Sequence, residues 1–152
     1  MKSKSKPARK LRDTAPISSE STEDHLERIS ELVEQRGYAR VSDLAEALGL
    51  KTSTVSNMVR RLAKRGFVNY EKYRDFSLTA EGHAVARRIK ARHATLSEFF
   101  ALLGLEPQTI QAEVEDIEHH LRPQTLEMMG KLVSYWKTHP KELQGFLRHA
   151  RG

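Results

Sequence analysis

Two short amphipathic segments parted by a glycine, then a second glycine and an alternating apolar–polar stretch, constrain this chain more than any other feature. Ser42 is placed to cap a helix over 43–48, and Gly49 stops it. Thr52 or Ser53 is placed to cap a second helix running to about Lys64, with Val55, Met58, Val59 and Leu62 on its buried side and Gly66 as its stop. The segments 67–73 and 76–78 alternate around Arg74-Asp75 and read as a two-stranded hairpin. A helix–turn–helix followed by a hairpin is a winged helix, so the fold class is mainly α with a small β-hairpin.

The flanking segments read as helices. One starts near Ser21 or Thr22, carries Glu23, Asp24 and Glu27 where the helix dipole favours acids, presents Leu26, Ile29, Leu32 and Val33, and ends at Gly37. A long helix from about Ala80 to Leu103 follows the hairpin, with Val85, Ile89, Leu96 and Phe100 at helical spacing and Gly104 behind it. Pro107 opens a helix with Ile110, Val114, Ile117 and Leu121 on its stripe, and Pro123 opens another with Leu126, Met129, Leu132, Val133 and Trp136. Pro140 is expected to close the ordered part. This divides the chain into a disordered basic arm (1–20), a winged-helix domain (21–79), an all-helical domain (80–139) and a tail (140–152).

Charge is unevenly placed. Residues 1–12 hold six basic residues and no acid, and without them the chain balances at 20 basic against 20 acidic. From Arg40 to Arg74 there are eight basic residues against three acids, whereas Ala94 to Leu121 holds six acids and no Lys or Arg. A basic middle and an acidic later segment suggest binding of a polyanion and of a cation. There is no cysteine, which excludes disulfides, thiolate metal sites and cysteine nucleophiles. No apolar run approaches the ~20 residues a bilayer requires, and the basic N-terminus lacks a secretory apolar core. A cytoplasmic protein without membrane partners is expected.

On the second helix of the unit, Lys51, Thr52, Ser53, Thr54, Ser56 and Asn57 form a first turn of short polar groups suited to base edges and phosphates in a major groove. Arg60, Arg61, Lys64, Lys72 and Arg74 are candidate phosphate contacts. Without the surrounding punctuation the Arg60–Arg65 run would read as a solvated helix face. In the acidic segment Glu115, Glu118 and His119 are spaced i, i+3, i+4 beside an apolar stripe, the pattern of half a metal site. Taken alone, Asp24 and Glu27 read equally as dipole-complementing acids, His93 as a hydrogen-bonded core histidine, and His120 as an exposed neighbour.

Four segments in order resemble the manganese transport regulators of the diphtheria-toxin-repressor family: Glu34 to Leu48 (EQRGYARVSDLAEAL), Tyr70 to Arg74 (YEKYR), Arg92-His93, and Val114 to Leu121 (VEDIEHHL). The resemblance covers about residues 21–138. It implies an N-terminal winged helix, a helical dimerisation domain and a metal site between them. It carries a ligand set onto Asp24, Glu27, His93, Glu115, Glu118 and His119, with two Mn²⁺ ions per subunit. It implies a homodimeric repressor of metal-uptake genes that binds palindromic double-stranded operator DNA and takes no small organic ligand. The basic arm and the C-terminal tail depart from the family, and the chain is too short for the third, SH3-like domain of its iron regulators. Two readings compete. A metal-independent winged-helix regulator with a small ligand at its dimer interface would leave Glu115, Glu118 and His119 unexplained. A di-metal carboxylate enzyme would require a second Glu/His helix that the sequence lacks.

Overall fold

The computed structural model describes residues 19–71 and 74–152. The basic arm up to residue 18 and the phosphate candidate Lys72 lie outside the described residues. The element order is α1 (Ser19–Arg36), α2 (Val41–Leu48), α3 (Thr52–Lys64), β1 (Val68–Asn69), β2 (Ser77–Leu78), α4 (Ala80–Leu102), α5 (Pro107–Ile117), α6 (Pro123–Thr138) and α7 (Pro140–Arg151).

The helix–turn–helix closes as its glycines predict. Gly49 takes the left-handed conformation (φ 64°). Its N–H donates to the Glu46 carbonyl while that of Leu50 reaches back to Ala45. This paired pattern satisfies the last carbonyls of α2 and turns the chain into α3. The cap residues differ from expectation. Arg40 and Lys51 occupy the N-cap positions of α2 and α3, neither with a side-chain cap bond. Each helix therefore begins one or two residues early, leaving the Ser42, Thr52 and Ser53 hydroxyls directed outward. The four predicted apolar positions of α3 are all buried.

The hairpin is shorter than the alternation suggests. Val68 pairs with Leu78 and Asn69 with Ser77. The returning chain then pairs with the α1–α2 connection instead, where Ala39 and Phe76 exchange both backbone hydrogen bonds at 2.8 Å. That pairing is long-range and has no local sequence signature. Tyr70 packs edge-on against Phe76 with ring centroids 5.9 Å apart, and Arg40 grips Asp75 at 2.7 Å, so the wing is tied to the start of α2.

The main core joins α1, α2, α3, the hairpin and the first half of α4, with Leu26, Ile29, Leu44, Val55, Val59 and Leu62 fully enclosed. The second half of α4 serves the helical part, where Leu96, Val114 and Val133 are buried. One helix thus runs through both domains. It enters through Thr79, whose N-cap hydroxyl accepts from the Gly82 N–H at 3.0 Å. Gly82 lies against the backbone of Phe67, and a Cβ added there would stand 2.0 Å from the Phe67 carbonyl oxygen. Gly82→Ala should therefore destabilise the protein by about 1–3 kcal/mol through overpacking, despite alanine's better helix propensity. Thermal unfolding checks this: a melting temperature equal to or above that of the unmodified protein would refute the close contact.

The C-terminal segment is a correction. Pro140 does not end the ordered chain but occupies the first turn of α7, where its missing N–H costs nothing. Trp136 stacks on Phe99 of α4 on one side and Phe146 of α7 on the other, folding α7 back onto the helical part.

Candidate metal centre and nucleic-acid interface

All six sequence-proposed metal ligands line one cavity of about 590 Å³ at the junction of the two domains. Asp24 and Glu27 come from α1, His93 from α4 and Glu115 from α5, and Glu118 and His119 from the turn that follows. The i, i+3, i+4 pattern straddles the helix end. Helix α5 closes at Ile117, and Glu118 is its C-cap with torsions still right-handed helical (φ −60°, ψ −31°). Glu118 therefore keeps the facing that helical spacing gives it, while His119 turns towards α1.

The Glu118 side chain is 6% exposed, a buried carboxylate whose Oε2 lies 3.3 Å from His93 Nδ1. His119 is nearly as buried, and its Nε2 lies 3.4 Å from Asp24 Oδ1 and 3.6 Å from Glu118 Oε1. Glu115 is exposed at the cavity mouth and accepts from the Gln111 amide. Burial pushes the Glu27 carboxyl above the usual carboxylate range, and the Glu118 charge adds to this, outweighing the opposing pull of His93. The core reading of His93 is wrong: its side chain is 39% exposed and faces the acids. The apolar register of α4 does not show this, because the wall facing His93 is built from residues distant in sequence. His120 is exposed, and its Nδ1 lies 3.2 Å from the Asp116 carbonyl oxygen.

The donor set is oxygen-rich, with four carboxylates and two imidazoles, which suits a hard divalent cation. Among the described residues the side chains stand as pairwise contacts and no three donors surround a common point.

Sequence reasoning missed four residues that line the cavity, Arg28, Glu31, Leu48 and Asp116, and one that contacts its His119, Glu23. Arg28 and Glu31, paired at 2.6 Å, extend the acidic face of α1 along the wall, and i, i+3, i+4, i+7 spacing from Asp24 was the available signal. Glu23 accepts from Arg92 Nη2 at 2.5 Å and from His119 Nδ1 at 2.8 Å. Burial alone would raise the Glu23 carboxyl, but hydrogen bonds and charge from Arg92 and His119 together hold it below the usual range.

The nucleic-acid candidates lie along α3 and the wing, outside the lining of the acidic cavity. Lys51, Thr52, Ser53, Thr54, Asn57, Arg60, Arg61 and Lys64 are exposed along α3, and Arg74 is exposed on the wing. Ser56 is half-buried, with its hydroxyl 3.3 Å from that of Tyr70. A groove between α2, the first turn of α3 and the wing brings Thr52, Ser53, Ser56 and Arg74 together with Arg40, Ser42 and Tyr70, which the sequence reading did not select. Arg40 stacks over Tyr38 at 5.0 Å while bound to Asp75, which fixes it at the groove's edge.

Three comparisons with known proteins agree. Residues 18–76 match the family described as the iron dependent repressor N-terminal DNA binding domain, and residues 79–146 match the iron dependent repressor metal binding and dimerisation domain. The chain is 41% identical to an HTH-type transcriptional regulator MntR of Listeria monocytogenes over 82% of its own length and 87% of the relative's. It is 42% identical to an HTH-type transcriptional regulator MntR of Geobacillus kaustophilus over 82% and 88%. Among solved structures, a manganese-dependent transcriptional repressor in complex with manganese superposes with a TM-score of 0.65 at 26% identity, covering 75% of this chain. The chain spans about half the length of that structure, 53%, and nearly the full length of the two sequence relatives.

Proposed function

Because the chain belongs to the iron-dependent repressor family, the diphtheria-toxin-repressor lineage its sequence resembles, we propose that it is a Mn²⁺-responsive repressor of metal-uptake genes that binds a palindromic operator as a homodimer when metal-loaded. At the coarser level it is a metal-responsive transcriptional regulator and not an enzyme. One observation carries the finer reading: six hard or borderline donors from both domains line a single cavity, in the same chain as an exposed Ser/Thr-rich, basic recognition helix.

When bound, the metal supplies a cationic crosslink between the two domains. The residues do the rest. Asp24 and Glu27 contribute carboxylates from the first helix of the DNA-reading head, and His93, Glu115, Glu118 and His119 receive them from the helical part. Without a counter-cation the clustered acids repel, the Glu118 charge adding to burial in raising the Glu27 carboxyl, and the head's position is weakly held. Engaging both sides at once favours one position of the head. In a dimer it sets the two α3 helices near the separation of two half-sites, about one DNA turn or a multiple of it. The ion acts by population shift. Two ions per subunit are what the resemblance implies, and the four carboxylates lining the cavity carry the charge that two divalent cations would balance.

For the homodimer, α6 presents Met128, Leu132 and Tyr135 at i, i+4 and i+7 with exposures of 59%, 38% and 43%, an apolar stripe suited to a second copy. Among the described residues no helix is long and apolar enough to cross a membrane, and we place the protein in the cytoplasm with its DNA. No small organic ligand is part of this reading.

The test combines metal analysis of purified protein with operator mobility shifts in Mn²⁺ and in chelator. Bound manganese and a shift that chelator abolishes are expected. Equal DNA affinity under both conditions would overturn the proposal.

A further inference from the structure

We infer that Glu23 is a positioning residue of the metal centre: through Arg92 it is held where it fixes His119 as the Nδ1–H tautomer and directs Nε2 at Asp24 and Glu118. The inference rests on the metal-site reading above and concerns a residue outside its ligand set. The geometry is specific. Glu23 Oε2 lies 2.8 Å from His119 Nδ1 and also receives Arg92 Nη2 at 2.5 Å. A carboxylate paired with a guanidinium accepts hydrogen bonds and donates none. The hydrogen between Glu23 and His119 therefore resides on Nδ1, which leaves the Nε2 lone pair free. Arg92 Nη2 also approaches Nδ1 itself at 3.5 Å. Both donors converge on the one Glu23 oxygen, so Arg92 holds that oxygen beside the ring while neutralising part of its charge.

Nε2 points at the cavity, 3.4 Å from Asp24 Oδ1 and 3.6 Å from Glu118 Oε1. The ring is buried, with a side-chain exposure of 8%, so its orientation is set by these contacts and not by solvent. An imidazole that ligates through one nitrogen while its other N–H is held by a carboxylate has a fixed tautomer, a fixed ring plane and a more basic donor. Glu23 is also a residue of α1, whereas His119 follows α5 and Arg92 is on α4. The bond therefore ties the DNA-reading head to a ligand of the helical part, and the orientation of that ligand depends on where α1 sits. Lys90 and Glu34 form a second ion pair between α1 and α4, at 2.6 Å, remote from His119. That pair separates orientation of the ring from general docking of the two helices.

The test uses the full-length protein without DNA and measures Mn²⁺ affinity by calorimetry or by electron paramagnetic resonance of free Mn²⁺. The His119 ring nitrogens are read by ¹H–¹⁵N NMR of the metal-free protein at a pH where the ring is neutral. The unmodified protein should show a protonated Nδ1 and a bare Nε2. Glu23→Ala should lose this preference and bind Mn²⁺ about 10–100-fold more weakly. Glu23→Gln removes the same charge but keeps an acceptor oxygen, so it should retain the tautomer and recover part of the lost affinity. Lys90→Ala should leave both readouts unchanged. The inference is overturned if His119 of the unmodified protein carries its proton on Nε2, if Glu23→Ala binds Mn²⁺ within two-fold of normal, if Glu23→Gln recovers nothing, or if Lys90→Ala weakens binding as much as Glu23→Ala. His119→Ala tells the two readings apart: normal Mn²⁺ affinity in that variant would defeat the ligand assignment itself, whereas a loss there with a normal Glu23→Ala defeats only the positioning role.

Discussion

Glu118→Ala is expected to abolish the Mn²⁺-dependent part of operator binding while leaving a folded dimer. Glu118 is the most enclosed of the proposed ligands, and its two oxygens face His93 and His119, the two imidazoles of the cavity. No other side chain of the set spans both. Its removal also relieves Glu27 of a neighbouring charge, so the metal-free cavity loses repulsion as it loses affinity. The fold should persist because the contacts holding α5 are made by Val114, which is fully buried, and not by the carboxylate. Couplings between effector and ligand sites typically amount to about 1–3 kcal/mol, roughly 5–150-fold in affinity. The variant should lose that whole factor and bind operator equally with Mn²⁺ and with chelator. Fluorescence anisotropy of labelled operator measures it. Linkage supplies an internal check: in the unmodified protein, operator DNA must tighten Mn²⁺ binding by the same factor. A normal Mn²⁺ response from Glu118→Ala would remove this residue from the centre.

Loss of Arg60 and Arg61 together should weaken binding to every DNA sequence alike and flatten its salt dependence. Both are exposed in the second half of α3, beyond the base-reading first turn, and Arg60 is steadied by Ser56 at 3.3 Å. Each phosphate neutralised releases counterions, so the slope of log K against log salt should shrink by about one for each arginine removed. Thr54 and Asn57 lie nearer the start of α3 and should behave differently. Changing either should alter preference among operator variants, at about 1–3 kcal/mol for the affected base pair, with little change in salt slope. Titrations on operator and random DNA across a salt series distinguish the two behaviours. An unchanged slope in the double-arginine variant would place those residues away from the backbone.

Local order determined most of the architecture. Glycines at 37, 49, 66 and 104 all take positive φ, so α1 to α4 each end beside a residue without Cβ that permits the turn. The apolar spacing of α3 marked its buried positions because helix periodicity alone decides which side faces inward. The carboxylate–imidazole pattern at 115–119 was legible for the same reason, and the family resemblance implied its partners from α1 and α4. Other features were decided only in three dimensions. Pro140 reads as a stop, yet it opens α7, because Trp136, itself stacked on Phe99, offers Phe146 a surface that offsets the cost of ordering the twelve residues of α7. His93 reads as a core residue from its own helix, and it becomes a cavity residue because the wall opposite is acidic. Glu23 reads as a dipole-complementing acid at the start of α1, and only the docking of α1 against α4 and the turn after α5 brings it to both Arg92 and His119. Periodicity and caps act within a few residues of chain, so the sequence carries them openly. The chemistry of the centre depends on contacts between residues 25 to 96 positions apart, and those exist only once the helices have packed.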